Sequence, residues 1–165
     1  MKEMFKRQVG GNPRVEVATS RADALWTCAK DAADGKLSGQ ELEETCWALV
    51  DTQIKDAAST GNGLWPVMLV DHMPSEAWVD FVYMPSYAAC AILLCGYHQG
   101  YAERIPDLES ALRNGLAAAF PDGVIASHGN EWEETTREVL DLMDRCGLQT
   151  AKDLFGLKLR SSVVR

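Results

Sequence analysis

Tyr87-Ala88-Ala89-Cys90-Ala91-Ile92-Leu93-Leu94-Cys95-Gly96-Tyr97 is apolar on every side. A helix lying at a surface needs a polar stripe, and this run has none, so a helix here must be enclosed by other elements. Met84-Pro85-Ser86 leads into it. Proline suits the first turn of a helix, where its missing N–H would have no partner anyway. The run is therefore expected to be the central core helix, with the rest of the chain packed around it.

On both sides the pattern is helical. Ser20 can cap a helix running to about Ala33, with Gly35 beyond its end. Ser38 followed by Glu41 has capping-box spacing and opens a second helix to about Ala58. Leu42, Cys46, Leu49 and Gln53 lie on one face of it, and Glu43, Glu44, Asp51 and Lys55 stay polar. Ser59-Thr60-Gly61-Asn62-Gly63 is a loop by composition.

Downstream, Pro106-Asp107 starts a helix with Leu108, Leu112, Leu116 and Ala119 inward, ending before Pro121-Asp122-Gly123. Asn130 and Glu133 open the next, with Thr136, Val139, Met143 and Cys146 inward and Glu134, Glu138 and Asp141 outward. Gly147-Leu148 fits a Schellman ending, and a short helix follows from about Thr150.

Two segments are ambiguous. Arg14-Val15-Glu16-Val17 alternates like an edge strand after the turn cluster Gly10-Gly11-Asn12-Pro13. Residues 64–83 mix a proline-broken apolar run with Ala77-Trp78-Val79-Asp80-Phe81-Val82-Tyr83, which favours β by propensity but is too short to separate strand from buried helix. The expected fold is all-α, or mainly α with a minor strand or hairpin near the N-terminus. Its elements form a compact orthogonal or toroid-like assembly in one domain spanning 1–165.

A chain of 165 residues with 47% hydrophobic and 24% charged side chains is a globular composition. A domain of this size buries about 68–70% of its unfolded surface without needing disulfide or metal staples. The longest apolar-rich run falls well short of the roughly 18 residues of a membrane span. The N-terminus has no hydrophobic stretch behind its basic residues, so a cytoplasmic location is expected. Five cysteines, odd in number and without a C-x-x-C pair, agree with a reducing compartment. Each sits in an apolar helical context and reads as a small packing residue, with a redox or metal role as the other reading.

The net charge of −8 is uneven. Lys2, Lys6, Arg7 and Arg14 oppose Glu3 at one end, and Lys152, Lys158, Arg160 and Arg165 oppose Asp153 at the other. Each end therefore carries about +3, which leaves about −14 between them. Residues 1–19 read as a basic arm and 157–165 as a basic tail. An acidic body repels phosphate backbones, so general nucleic-acid binding is disfavoured and a basic protein partner suits it better.

Motifs for catalysis are missing. His72, His98 and His128 have neither H-x-x-x-H nor H-E-x-x-H spacing, so no metal site is expected. There is no G-x-S-x-G elbow, no phosphate-binding glycine pattern, and hence no expected catalytic residue or cofactor. The densest feature is aromatic: Trp65, Trp78, Phe81, Tyr83, Tyr87, Tyr97 and Tyr101 crowd together with Asp71, His72, Glu76, Asp80 and His98. Such residues fill cores, and they also line small-molecule or glycan pockets.

From Tyr83 to Phe155 the chain resembles a type of uncharacterised bacterial helical protein of Firmicute-like sequence. The resemblance rests on Tyr83-Met84-Pro85-Ser86-Tyr87-Ala88-Ala89, Ser127-His128-Gly129 and Cys146-Gly147-Leu148. It implies a helical fold and no particular chemistry. Tyr87 to Leu94 and Asn114-Gly115-Leu116 are loosely similar to the helical hairpins of α/α-toroid enzymes, whose complete rings are about twice this length.

Two functions follow as expectations. The first is a non-enzymatic acidic binding protein, of the kind an inhibitor or a mobile-element accessory would be, engaging a basic protein surface through Glu134, Glu138 and Asp141. The second is a small-molecule or glycan binder, or a hydrolase, with an aromatic pocket formed by Trp65, Trp78, Tyr83 and Tyr87 and rimmed by His98 and His128.

Overall fold

The structure, a computed structural model, describes residues 13–68 and 73–159. The outer parts of both basic ends and His72 lie outside the described residues. All regular elements among those described are helical: α1 (Pro13–Ala33), α2 (Gly39–Thr52), α3 (Ser75–Trp78), α4 (Met84–His98), α5 (Leu108–Ala119), α6 (Trp132–Arg145) and α7 (Leu148–Phe155). A π-helical turn, Val79–Tyr83, joins α3 to α4, and short 3₁₀ turns lie at Tyr101–Glu103, Pro121–Gly123 and Gly129–Glu131.

Helix α4 is the centre of the fold. Met84 through Leu94 are all buried, and α1, α2, α5 and α6 pack around the helix. The apolar helix is longer than Tyr87–Tyr97 suggests, because the π turn continues it backwards. Val79–His98 meets the length and composition of a membrane span, and 83% of its most apolar window is buried inside the protein.

The alternation at Arg14-Val15-Glu16-Val17 does not make a strand; these residues form the first turn of α1. Four residues are too short a window. Val15, Ala18, Ala22 and Ala29 continue as one buried helical stripe, with Val17 left outside. Helix α1 thus begins at Pro13 rather than Ser20 and takes in the part of the basic arm from residue 13 to 19.

Helix α2 opens on the expected box. Ser38 Oγ accepts from the Glu41 N–H at 3.1 Å, and Glu41 Oε1 accepts from the Ser38 N–H at 3.0 Å. It ends at Thr52, earlier than Ala58, because Gln53 turns extended (φ −60°, ψ 138°) and is needed elsewhere. The buried Gln53 amide donates to the carbonyls of Gly63 (2.9 Å) and Ala111 (2.8 Å), tying the 54–64 loop to α5.

Of residues 64–83, those described (64–68 and 73–83) are held by hydrogen bonds that cross the chain. Leu64–Met68 runs without regular structure alongside the π turn. The Val67 N–H donates to the Phe81 carbonyl (2.9 Å), and Ser86 Oγ donates to the Val82 carbonyl (2.6 Å) while accepting from the Trp65 N–H (2.9 Å). A π turn loosens the helical ladder, and here its carbonyls find donors from outside it. Phe81 also joins Val15, Ala18 and Ala77 in a small apolar cluster separate from the main core.

Candidate functional site

The aromatic residues singled out from the sequence are mostly consumed by packing. Trp65 is buried, and its indole N–H donates to the Leu49 carbonyl at 2.7 Å. Tyr87 is fully buried; its hydroxyl donates to the Ala119 carbonyl (2.7 Å) and accepts from the Ala126 N–H (2.8 Å). Burial pushes the Tyr87 hydroxyl well above its ordinary pKa, so it stays a neutral donor. Tyr83 is half-buried and stacks on Tyr87 at 6.5 Å, while Trp78, also half-buried, lies 6.3 Å from Tyr83. Phe120 closes the other side of Tyr87 at 5.1 Å.

The two described histidines go to different places. His128 Nε2 lies 3.4 Å from Oδ1 of Asp80, which the π turn holds at 0% exposure. A buried carboxylate requires polar partners, and the imidazole supplies one. The pair fastens the loop before α6 to the start of the core helix. His98 is exposed, sits edge-on to Tyr97, and has Nε2 3.3 Å from the Gly147 carbonyl.

His98 belongs instead to a cavity of about 600 Å³ where four helix ends meet. The end of α1, the start of α2, the end of α4 and the end of α6 form its walls, which include Leu42, Cys95, His98, Tyr101, Arg145 and Cys146. Of the six expected pocket residues, His98 alone lines it.

Local sequence explains how these walls are held. Tyr101 Oη donates to the Gly39 carbonyl (3.1 Å), and the Arg104 guanidinium covers the Tyr101 ring at 4.8 Å. Arg145, at the end of α6, pairs with Asp34 after α1 and with Asp141 one turn back (3.5 Å). Gly147 takes the left-handed conformation (φ 95°) expected of a helix-ending glycine and turns the chain into α7. A Cβ there would strike the His98 ring.

Cys95 at the end of α4 and Cys146 at the end of α6 both line the cavity wall. The influence of Cys146 lowers the Cys95 thiol from its ordinary pKa, and that of Cys95, then burial, raises Cys146. Cys46 and Cys90 shift upward, as Cys146 does. Burial raises Cys46 to about 12 and Cys90 further. No group of three or more metal-ligating side chains occurs among the described residues.

Sequence reading passed over this cavity because its walls lie far apart along the chain. The single local signal is Cys95 and His98, which share a helix face at i,i+3 spacing. The acidic residues singled out on α6, Glu134, Glu138 and Asp141, are all exposed. No family model, curated protein or solved structure matches this chain.

Proposed function

We propose that this protein is a non-enzymatic binding module that engages a basic surface on a protein partner through the outer ridge of α6. The observation carrying this reading is the division of that helix. Thr135, Thr136, Val139, Leu142 and Met143 are buried, while Glu134, Glu138 and Asp141 stand exposed at i, i+4 and i+7 spacing. Like charges at i,i+4 cost a helix about 0.2–0.5 kcal/mol, a penalty that a cationic partner relieves. The long-range field has the same sign, since the chain between its basic ends carries most of the negative charge.

The test is capture from native lysate with wild-type protein and with Glu134→Lys/Glu138→Lys/Asp141→Lys. A second reversal, Glu44→Lys/Asp51→Lys/Glu109→Lys, changes three exposed carboxylates on α2 and α5 and controls for overall charge. The reading expects one partner, identified by mass spectrometry, that is retained by wild type and the control and lost from the α6 reversal. It also expects release between about 0.1 M and 1 M salt, where the Debye length falls from ~10 Å to ~3 Å. Equal recovery by all three proteins, or no partner at low salt, overturns it.

The cavity supports a second reading, small-molecule binding where the four helix ends meet. Its volume lies within the roughly 300–1,000 Å³ of ligand sites, and an imidazole, a phenol, a guanidinium and two thiols line an otherwise partly apolar wall. Its test is a ligand-dependent rise in melting temperature that Tyr101→Ala abolishes and Asp51→Lys/Glu109→Lys, away from the cavity wall, leaves intact.

A further inference from the structure

Of the four helix ends that meet at the cavity, three are C-terminal. Helix α1 brings Ala32 and Ala33, α4 brings Cys95 and His98, and α6 brings Asp144 and Arg145, in each case from the last turn. A helix C-terminus carries a partial negative charge, equivalent to roughly half an electron, and its effect is concentrated in that last turn. The fourth end is the start of α2, where the partial charge is positive. Its own Glu41 carboxylate covers it, accepting from the Ser38 N–H at 3.0 Å. The helix ends therefore leave the cavity in a net negative field.

The side chains of the wall add to that field. Asp144 and Arg145 are the acid and the base among them. The Arg145 charge is already held by Asp34 and, at 3.5 Å, by Asp141. Asp144 is exposed, and an ionised carboxylate only accepts hydrogen bonds. The two ring donors are committed. Tyr101 Oη gives its hydrogen to the Gly39 carbonyl (3.1 Å) and keeps its lone pairs for accepting. His98 Nε2 lies 3.3 Å from the Gly147 carbonyl, which can only accept, so the hydrogen on this nitrogen is spent there. Ala32, Leu37 and Leu42 supply apolar surface in the same wall.

We propose that the cavity binds a small organic cation, a primary ammonium group on a short hydrocarbon body. This rests on the small-molecule reading of the cavity and names the class of ligand. An ammonium carries three donors and no acceptor, so it is best replaced into a wall where acceptors converge. Asp144 meets its charge, the ends of α1, α4 and α6 add their dipoles, and the hydrocarbon body lies against Leu37 and Leu42. A carboxylate of the same shape meets a repulsive field and the Asp144 charge. A neutral alcohol gains nothing from either. At about 600 Å³ the cavity holds such a molecule together with water.

Three probes of one shape, pentylammonium, pentan-1-ol and pentanoate, test this by titration of the full chain at fixed pH and ionic strength. Binding is followed through the backbone amide resonances of Gly35, Gly39 and Gly147, which all lie in the wall. Pentylammonium is expected to shift them saturably, at least about tenfold more tightly than the other two. Asp144→Asn, a change at an exposed position, is expected to weaken that binding by roughly fivefold. Glu109→Gln removes the same charge from α5, outside the wall, and is expected to bind as wild type does. Pentanol or pentanoate binding as tightly as pentylammonium overturns the ammonium proposal and leaves the small-molecule reading standing. Silence of the wall glycines towards all three overturns both. Pentylammonium shifts confined to Glu134, Glu138 and Asp141 mean that it collects on the acidic ridge, which also overturns the proposal, as does unchanged binding by Asp144→Asn. The comparison among probes uses wild type alone and stands whatever the variants do.

Discussion

The indole N–H of Trp65 donates to the carbonyl of Leu49 at 2.7 Å, joining the proline-broken segment before the core helix to the last turn of α2. The same ring lies against Gly115 of α5, where a Cβ would come within 2.7 Å of two ring carbons. One side chain therefore sets the spacing of three elements around α4.

Two effects oppose each other in Gly115→Ala. Alanine is favoured over glycine in a helix by about 0.8–1.0 kcal/mol. Overpacking a tight core costs about 1–3 kcal/mol. Here the obstacles are the Trp65 ring and, at 3.1 Å, Cys90 Sγ, both buried, so the substitution is expected to destabilise. Trp65→Phe alone should cost about 1–3 kcal/mol through the lost hydrogen bond and volume. In the double variant the smaller ring makes room, so urea unfolding should show the two losses adding to less than their sum. Strict additivity would remove Trp65 as the spacer.

Gly147→Ala and Gly156→Ala separate backbone strain from collision. Both glycines have positive φ, 95° and 67°, and an L-residue there costs about 1–2 kcal/mol. A Cβ at Gly156 meets nothing within 4 Å, whereas one at Gly147 meets the His98 ring. Gly147→Ala should lose more stability than Gly156→Ala and should move the His98 ring resonances in NMR spectra. Equal losses with unchanged His98 resonances would contradict the close approach.

Stability should fall at alkaline pH because of Cys46 and Tyr87. Both groups have pKa values raised in the folded protein, mainly by burial; Cys46 goes from an ordinary 9.0 to about 12. A raised folded pKa means that the native state holds its proton more tightly. The resulting stability is complete below the unfolded pKa and is lost as pH rises through the folded one. Urea midpoints should decline from about pH 9 towards pH 12, and Cys46→Ala should shallow the decline. A pH-independent midpoint across that window would contradict the enclosed thiol.

The Ser38 cap predicts the opposite behaviour in acid. Hydrogen bonds from Ser38 hold Glu41 below its ordinary pKa, so their stabilising effect is present above the usual carboxylate range and fades as pH falls through the folded pKa. Ser38→Ala should cost about 0.5–2 kcal/mol at neutral pH. The difference from wild type should narrow in acid, as read from paired thermal melts at pH 7 and pH 3. A constant difference would assign the loss to the serine alone.

Features whose causes lie within one or two turns could be read from the residues in order. The enclosed helix at Tyr87–Tyr97, the Ser38–Glu41 box, the inward leucines at 108, 112 and 116, and the left-handed Gly147 all stand as the pattern implies. Short windows misled where a stripe ran beyond them, as at Arg14–Val17. They also misled where a side chain had a distant obligation, as with Gln53, whose bonds to Gly63 and Ala111 end α2 early.

What sequence determined by itself is a helical domain built on one apolar helix, with acidic residues on the outer side of α6. Helical periodicity and capping are local chemistry, and the residues responsible are neighbours in the chain. Tertiary structure alone decided that Trp65 and Tyr87 are spent on backbone carbonyls and that His128 meets Asp80, 48 positions away. It also decided that Cys95 and Cys146 line the same cavity. These are encounters between segments, and their positions follow from how α1, α2, α5 and α6 pack around α4, which no local pattern records.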